Sequence, residues 1–260
     1  MILDSKTVVV SGVGPGLGRE IAAAALRDGA NVVVGARSEG RLKEIASELD
    51  ATGSRIAVCP ADITDPVQCG ALMQAAVDRF DRLDAVVQVA AMDTLFGTLQ
   101  STTADDWRKS MEVNVLGTMQ IANAAVPHLK AGGGGSIVLV GSQSMWLPPK
   151  MPQIAYASAK GALVSAMYHM ATELGPDRIR VNMVVPTWMW GPMVEMYVKW
   201  QANERKLSED EIKREITANM PLGEIPADED VANAATFFCS DRSRMITGET
   251  LMVNAGELLR

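Results

Sequence analysis

Short runs of apolar, mostly β-branched residues recur along the chain, and longer stretches with helical periodicity separate them. Seven runs have the length and composition of strands that are buried on both faces. These runs lie at 7–11, 31–36, 55–59, 85–89, 136–140, 179–185 and 250–253. Helices are predicted between them, at about 16–28, 39–49, 66–80, 103–130, 154–174, 193–219 and 228–239. Strands and helices therefore alternate through the whole sequence.

This alternation predicts the fold class. A strand, a helix and a second parallel strand in the same sheet are joined by a right-handed crossover. Repeated along the chain, such units give an α/β fold with one doubly wound, Rossmann-type parallel sheet of about seven strands and helices on both faces. Pro, Gly and Ser cluster only in short turns, so no linker is evident. We expect residues 1–260 to form one domain.

Two helix starts carry capping signals. Thr102 is a candidate cap for the long helix predicted at 103–130, with Asp105 three residues later. Apolar residues then recur every three or four positions, which predicts that this helix buries one whole face. Ser208 and Glu211 form a second capping box, which is expected to open a charged, solvated helix.

Composition and charge exclude several classes of protein. At 260 residues and 48% hydrophobic residues, the chain can bury a sizeable core and is not disordered. It has 24 Lys and Arg against 31 Asp and Glu, a net charge of −7, so nucleic acid and anionic membranes are not expected as partners. The amino-terminal segment lacks an apolar signal region, which indicates an unexported, cytoplasmic protein.

Cysteine and histidine usage gives no sign of a disulfide framework or a metal site. The three cysteines, Cys59, Cys69 and Cys239, are scattered, and His128 and His169 are the only histidines. None of these residues has the spacing of a metal-ligand motif. We interpret the thiols as small buried hydrophobic groups in a reducing compartment.

A glycine-rich turn follows the first predicted strand. Its sequence is Ser11-Gly12-Val13-Gly14-Pro15-Gly16-Leu17-Gly18, and a predicted helix begins there. Such a turn leaves backbone N–H groups unpaired at the positive end of a helix, where a pyrophosphate can bind. The alternative is a tight turn that only lets the helix pack closely on the sheet. The parallel-sheet setting favours a dinucleotide site.

Tyr156 and Lys160 are four residues apart in a predicted helix, so both side chains project from one face. A neighbouring ammonium and an oxidised nicotinamide both favour the phenolate, which would make Tyr156 an acid–base group. An isolated pair with this spacing is common in helices and means little. Ser142 at a strand end and Asn114 in the adjacent helix make chance a poorer explanation.

Taken together, these motifs resemble the short-chain dehydrogenase/reductase superfamily in its compact form. The shared features are Ser/Thr-Gly-x3-Gly-x-Gly, Asn-Val-Leu-Gly at Asn114, Ser142 and Tyr156-x3-Lys160, in this order. The resemblance implies that Tyr156 gives a proton to a carbonyl oxygen and that Lys160 lowers its pKa and holds the nicotinamide ribose. It further implies that Ser142 donates a hydrogen bond to the same oxygen, and Ser144 is the alternative candidate for this role. Asn114 is expected to position a water molecule that relays the proton.

The resemblance also implies a set of cofactor contacts. They are Ser11, Gly12, Gly14, Gly16, Leu17, Gly18, Arg37, Asp62, Ile63, Ala90, Tyr156, Lys160, Pro186 and Thr187. Ala36 stands where NAD-using relatives carry Asp, and Arg37 can grip a 2′-phosphate, so NADP(H) is favoured over NAD(H). Arg37 could instead be a solvated cation or stack on adenine, and Asp62 could instead cap a helix.

Several positions depart from the family pattern. Gln88-Val89-Ala90-Ala91 replaces Asn-Asn-Ala-Gly, Thr187 replaces the Gly after Pro186, and Gly191 replaces a Thr. The first two changes put a Cβ where backbone and cofactor usually approach closely. They motivate a second hypothesis, a catalytically impaired dinucleotide-binding sensor or scaffold. A sugar-nucleotide epimerase or dehydratase is a third, for which the chain has little room.

The predicted substrate wall is apolar. Four tryptophans, Trp146, Trp188, Trp190 and Trp200, fall in segments that surround the substrate in relatives. Met193, Met196, Tyr197 and Trp200 form a stripe at helical spacing, which favours a lid at about 187–220 over a bulky terpenoid, steroid or aromatic ketone or alcohol. The alternative is that the stripe packs on the domain. Small residues on the helix of Tyr156 allow close packing, and the family resemblance implies that this helix serves a subunit interface, so a homodimer or homotetramer is expected.

Overall fold

Seven parallel strands form one sheet in the computed structural model, which describes residues 1–259. The strand order is β3-β2-β1-β4-β5-β6-β7, with the switch point between β1 and β4. The bounds are β1 Thr7–Ser11, β2 Asn31–Ala36, β3 Ile56–Pro60, β4 Ala85–Gln88, β5 Gly135–Val140, β6 Ile179–Pro186 and β7 Thr250–Val253. Each strand lies within one residue of its predicted position.

Helices cover both faces of the sheet. Their bounds are α1 Leu17–Arg27, α2 Glu39–Leu49, α3 Pro66–Phe80, α4 Ala104–Met111, α5 Thr118–Ala131, α6 Ile154–Leu174, α7 Pro192–Arg205, α8 Glu209–Thr217 and α9 Asp228–Cys239. Val8 and Val10 enter an apolar cluster with α1, α2 and α9, and Val9 enters a second cluster with α3, α5 and α6. Successive side chains of one strand thus reach opposite layers, which confirms the doubly wound fold.

The register of the sheet brings the ends of its central strands to one edge. Ser11 at the end of β1 pairs with Gly35 of β2 and with Gln88 of β4. Val140 at the end of β5 pairs with Val184 of β6. Ligands of such sheets bind beyond the carboxyl ends of the strands, so the segments that follow these ends form the candidate site.

The helix predicted at 103–130 is interrupted. A π-helical segment, Glu112–Gly117, separates α4 from α5. The cap also differs from the prediction, since Thr103 and Asp106 form the capping box. Thr102 is not available for this role because its hydroxyl donates to the carbonyl of Thr98 at 2.7 Å.

The helix predicted at 193–219 divides into α7 and α8. Lys206 ends α7 in the left-handed conformation, with φ of 54°. Ser208 then opens α8 through the predicted capping box with Glu211. Within the described part of the chain, no helix is both long and apolar enough to cross a membrane.

Candidate active site

The glycine turn between β1 and α1 holds two glycines that close packing requires. Gly12 has φ of +100°, and a Cβ there would lie 2.2 Å from the amide nitrogen of Ala90. A Cβ at Gly18 would lie 2.3 Å from the carbonyl oxygen of Gly12. Ser11 is buried, and its carbonyl accepts hydrogen bonds from Val89 and Ala90 at 2.8 and 2.9 Å. The turn is therefore fastened to the segment that follows β4.

The other two glycines of the turn leave open space. A Cβ at Gly14 would meet no atom within 4 Å, and one at Gly16 would meet only a carboxylate oxygen of Asp228, at 3.4 Å. Among the described residues, no acceptor bonds the amides of Gly14 or Gly16. Leu17 begins α1 with its side chain buried. The result is a free cradle at the positive end of a helix, which fits a pyrophosphate.

The structure brings Arg37 and Asp62 together at the ends of β2 and β3. Arg37 is exposed, and hydrogen bonds from Thr64, with help from the charge of Arg37, lower the pKa of Asp62. Asp62 does not cap the next helix, because Asp65 accepts the bonds of the first turn of α3. Ile63 is buried, and its side chain belongs to the apolar core. A cation thus lies beside the predicted adenosine site.

Tyr156 and Lys160 lie together on α6, as their spacing predicts. The Nζ atom of Lys160 is 5.7 Å from the centre of the Tyr156 ring and donates to the carbonyl of Val140 at 2.6 Å. Of the two candidate serines, Ser142 is the one whose hydrogen bond with Tyr156 acts on the pKa of the phenol, which it lowers. The two serine hydroxyls bond each other at 2.9 Å. The ends of β5 and α6 thereby assemble a phenol, a hydroxyl and an amine.

Burial dominates the pKa values of this cluster. Burial and the charge of Asp93 raise the pKa of Tyr156 above its ordinary value, while the bond with Ser142 opposes them. Burial lowers the pKa of Lys160 to about 8. In the protein alone, loss of solvation thus penalises both charged forms. That Lys160 lowers the pKa of Tyr156 beside a bound nicotinamide, as the family resemblance implies, stays a prediction.

Asn114 lies in the π-helical segment and holds the loop after β4. Its Oδ1 accepts from the amide of Met92 at 2.8 Å, and its Nδ2 donates to the carbonyl of Met92 at 3.0 Å and to Ser110 at 3.3 Å. The hydroxyl of Thr118 donates to the carbonyl of Asn114 at 2.7 Å. The side chain is thus committed to the loop, and the π-helical break places it there.

The segment after β6 is fastened to the carboxyl-terminal segment. Pro186 is buried, and the hydroxyl of Thr187 donates to the carboxylate of Glu257. Gln143 donates to the same carboxylate at 2.8 Å and accepts from Asn254 at 2.7 Å. Sequence reasoning missed Gln143, Asn254 and Glu257, because no local pattern links residues so far apart. Glu257 gives Thr187, which replaces the glycine of the family pattern, a hydrogen-bond acceptor.

Asp93 is a second feature that sequence reasoning missed. It is exposed in the loop after β4, and its carbonyl accepts from Nε2 of Gln153 at 3.0 Å. Gln153 immediately precedes α6, the helix of Tyr156. The only available signal was that Asp93 follows a strand which ends at the ligand-binding edge.

Gln88, which replaces an Asn of the family pattern, lies at the end of β4, where this loop begins. The Gln88 side chain is buried and donates to the carbonyl of Ala90 at 3.1 Å, while its Oε1 has no partner among the described residues. Ala90 is the residue in close contact with Gly12. The glutamine therefore supports the backbone that passes behind the glycine turn.

The apolar stripe of α7 does not pack on the sheet. Met193, Met196 and Trp200 are exposed, whereas Val198 and Ala202 form the buried face of the helix. The packing alternative is therefore wrong for three of the four residues of the stripe. The fourth, Tyr197, is half-buried, with ring centroids 5.2 Å from Trp188 and 6.1 Å from Trp200.

Comparisons with known proteins agree with this geometry. A family model described as enoyl-(acyl carrier protein) reductase matches residues 12–257. An uncharacterised oxidoreductase of Methylorubrum extorquens is 33% identical over 256 residues, which cover 98% of each chain. L-Rhamnose 1-dehydrogenase (NAD(P)(+)) of Sphingomonas sp. (strain SKA58) is 31% identical, over 98% of this chain and 97% of the relative.

A solved structure shares the whole fold. The short-chain type dehydrogenase/reductase from Mycobacterium ulcerans matches with a TM-score of 0.88 and 29% identity, over 100% of this chain and 92% of that chain. The family match and the similarity to these relatives extend over nearly the full chain, including the glycine turn and the cluster at Tyr156. The chain therefore belongs to the short-chain dehydrogenase/reductase superfamily and is an oxidoreductase that acts on CH–OH groups with NAD(P).

Proposed function

We propose that this oxidoreductase uses NADP(H) to interconvert a secondary alcohol and a ketone on a bulky apolar substrate. One observation carries the proposal: Tyr156 is hydrogen-bonded to Ser142, and the Lys160 amine lies 5.7 Å from the centre of the Tyr156 ring. This cluster follows strand ends at the same edge of the sheet as the open glycine cradle. The proposed acid–base group and the proposed dinucleotide site thus lie at the same edge of the sheet.

The residues of the cradle fit the proposed cofactor. Free amides at Gly14 and Gly16 would hold the pyrophosphate, and the segments at Ala90 and Thr187 would border the nicotinamide. Arg37 is exposed and can bind a 2′-phosphate. The preceding residue, Ala36, carries no carboxylate that would repel the phosphate. The chemistry that NADP(H) supplies when bound is hydride transfer.

The side chains of the cluster then handle the proton. Tyr156 gives its hydroxyl proton to the carbonyl oxygen as the ketone becomes an alcohol, and Ser142 donates a hydrogen bond to that oxygen. The raised pKa of Tyr156 keeps the phenol protonated at neutral pH, as a proton donor must be. Lys160, held by Val140, keeps donors free for the ribose. Asn114 fixes the loop that borders this cluster. The proposal also includes the role implied by the family resemblance, in which Asn114 positions a water molecule that relays the proton.

Further parts of the proposal concern the substrate and the setting. The exposed apolar stripe of α7, at Met193, Met196 and Trp200, supports a lid at about 187–220 over an apolar substrate.

The three cysteines are free thiols, which supports a cytoplasmic location. An assembly of two or four identical chains is proposed because short-chain dehydrogenases are typically oligomeric.

The replacement Tyr156→Phe tests the proposed function. We expect turnover of ketones to fall by about 10²–10⁴-fold because the proton donor is lost, while NADPH still binds. The matched control is Tyr168→Phe, which removes a hydroxyl from the same helix outside the site and should leave turnover and NADPH binding unchanged. Reduction is followed by NADPH absorbance and binding by calorimetry.

Two outcomes would contradict the proposal. A Tyr156→Phe variant as fast as the wild type would remove Tyr156 from the chemistry. Tight NADP(H) binding by the wild type without turnover of any ketone or alcohol in a broad panel would favour the sensor or scaffold hypothesis. That hypothesis rests on the altered segments at Gln88 and Thr187.

A further inference from the structure

The loop that follows β4 is held firmly against the start of α6. The amide of Gly97 donates to the carbonyl of Pro152 at 2.8 Å, and the amide of Ile154 donates to the carbonyl of Gly97 at 3.3 Å. At the other end of the loop, the side chain of Asn114 bonds both backbone groups of Met92. Asp93 follows Met92, so its backbone is fixed beside the helix of Tyr156.

No protein group pairs directly with the carboxylate of Asp93. It is exposed and forms no salt bridge or side-chain hydrogen bond with any residue of the described chain. It does not serve as a helix cap, because no side chain caps α6. Its charge nevertheless reaches the site: it adds to the burial that raises the pKa of Tyr156 and opposes the burial that lowers the pKa of Lys160.

The nearby cations are engaged elsewhere. Lys160 is buried and donates to the carbonyl of Val140 at 2.6 Å. The ammonium of Lys160 thus acts on Asp93 only through space, and no lysine or arginine of the described residues forms a salt bridge with Asp93. The carboxylate therefore remains without a direct ion pair beside the helix of Tyr156.

The surroundings of the site favour a positive ligand for this charge. The chain carries a net charge of −7, and a protein of that sign attracts cations by long-range steering. Trp188, Tyr197 and Trp200 form an aromatic group in the segment that follows β6 at the same edge of the sheet. Their rings give the apolar body of a ligand a surface to pack against.

We propose that Asp93 is the recognition site for a protonated amine that the substrate carries beside its reacting carbon. This inference rests on the proposed function and names the substrate class, an amino ketone or amino alcohol with an apolar body. A neutral hydroxyl could also bond a carboxylate, but it would not form an ion pair with Asp93. The ammonium group would pair with Asp93 while the apolar body lies against the aromatic residues.

A matched pair of probes tests the assignment. The first, 2-(dimethylamino)acetophenone, carries a tertiary amine, and the second, isovalerophenone, has a carbon in place of the nitrogen. Both are titrated by calorimetry into the enzyme with NADP⁺ bound, at a pH where the amine is protonated. We expect the wild type to bind the amine about fivefold more tightly, the order of an exposed ion pair. In Asp93→Asn the two affinities become equal, and in Asp93→Glu the preference persists.

Controls separate this inference from the proposed function. Asp78→Asn changes the net charge equally on the exposed surface of α3 and should keep the preference. Tyr156→Phe should also keep it while turnover is lost, because binding of the amine does not use the phenol. Equal affinities in the wild type, no binding of either probe, or a preference that survives Asp93→Asn would overturn the inference. Tighter binding of 2-hydroxyacetophenone than of the amine would also overturn it. Lack of NADPH oxidation with either ketone bears on the proposed function alone.

Discussion

The proposed preference for NADP(H) depends on a single charged residue, Arg37. Arg37 is exposed at the end of β2 and has no carboxylate neighbour at position 36. We predict that Arg37→Ala weakens NADPH binding by about 10- to 100-fold, the loss expected for charge-assisted hydrogen bonds, and leaves NADH binding unchanged. The measurement is calorimetric titration of both nucleotides, with Arg242→Ala as a control at the other edge of the sheet. Equal affinity of the wild type for NADPH and NADH would contradict the 2′-phosphate argument.

A second residue-scale prediction concerns pH. Burial raises the pKa of Tyr156 most, and Asp93 raises it further because a nearby negative charge disfavours the phenolate. In Asp93→Asn that pKa falls, so the phenolate needed for alcohol oxidation forms at lower pH. We predict that the acid limb of the pH profile of kcat for oxidation moves down by about half a pH unit. Asp93→Glu should keep the wild-type profile, and an unmoved limb in Asp93→Asn would show that the charge is screened.

At the scale of elements, the carboxyl-terminal segment fixes two loops of the site. Glu257 accepts hydrogen bonds from Thr187 after β6 and from Gln143 after β5. We predict that Glu257→Ala lowers the free energy of unfolding by about 1–2 kcal/mol, because two donors lose their acceptor. It should also weaken NADPH binding, since the segment at Thr187 loosens. Urea unfolding at fixed protein concentration measures the first effect and calorimetry the second.

The matched control is Glu224→Ala, which removes an exposed carboxylate just before α9. This variant should resemble the wild type in both measurements. A Glu257→Ala variant with unchanged stability would mean that water replaces the carboxylate at no cost. Unchanged NADPH affinity would mean that the Thr187 segment keeps its position without Glu257.

Elements with a strong local pattern were predictable. Strands came from runs of β-branched residues, and the start of α8 came from its capping box. The break at Glu112–Gly117 was not predictable, because the apolar periodicity continues through it. Its cause is tertiary: the Asn114 side chain bonds the backbone of Met92, which is 22 positions away. The cap moved from Thr102 to Thr103 for a local reason, since a turn at Thr98 already uses the Thr102 hydroxyl.

At the scale of the whole molecule, the sheet ends in the short edge strand β7. Leu251 of this strand is 37% exposed, and Tyr168 of α6, close to Gly248, is 52% exposed. An open edge with apolar neighbours is a natural surface for a second copy of the chain. We predict that Leu251→Lys with Tyr168→Lys gives a smaller species in analytical ultracentrifugation, with unchanged far-ultraviolet circular dichroism.

The control places the same lysine on another exposed apolar position. Val67 of α3 is 79% exposed, so Val67→Lys should leave the sedimentation unchanged. A monomeric wild type, or a double variant that sediments like the wild type, would contradict the assignment of this edge as a subunit contact.

The sequence by itself determined the alternation of strands and helices, the glycine turn and the pairing of Tyr156 with Lys160. Each of these depends on geometry within a few residues: the two-residue period of a strand, the conformational freedom of glycine, and the four-residue spacing on a helix. Only the tertiary structure decided that Asp93 lies at the start of α6 and that Glu257 bonds Thr187, 70 positions away. Such contacts depend on strand order and loop path, which arise from packing of the whole sheet and leave no local trace.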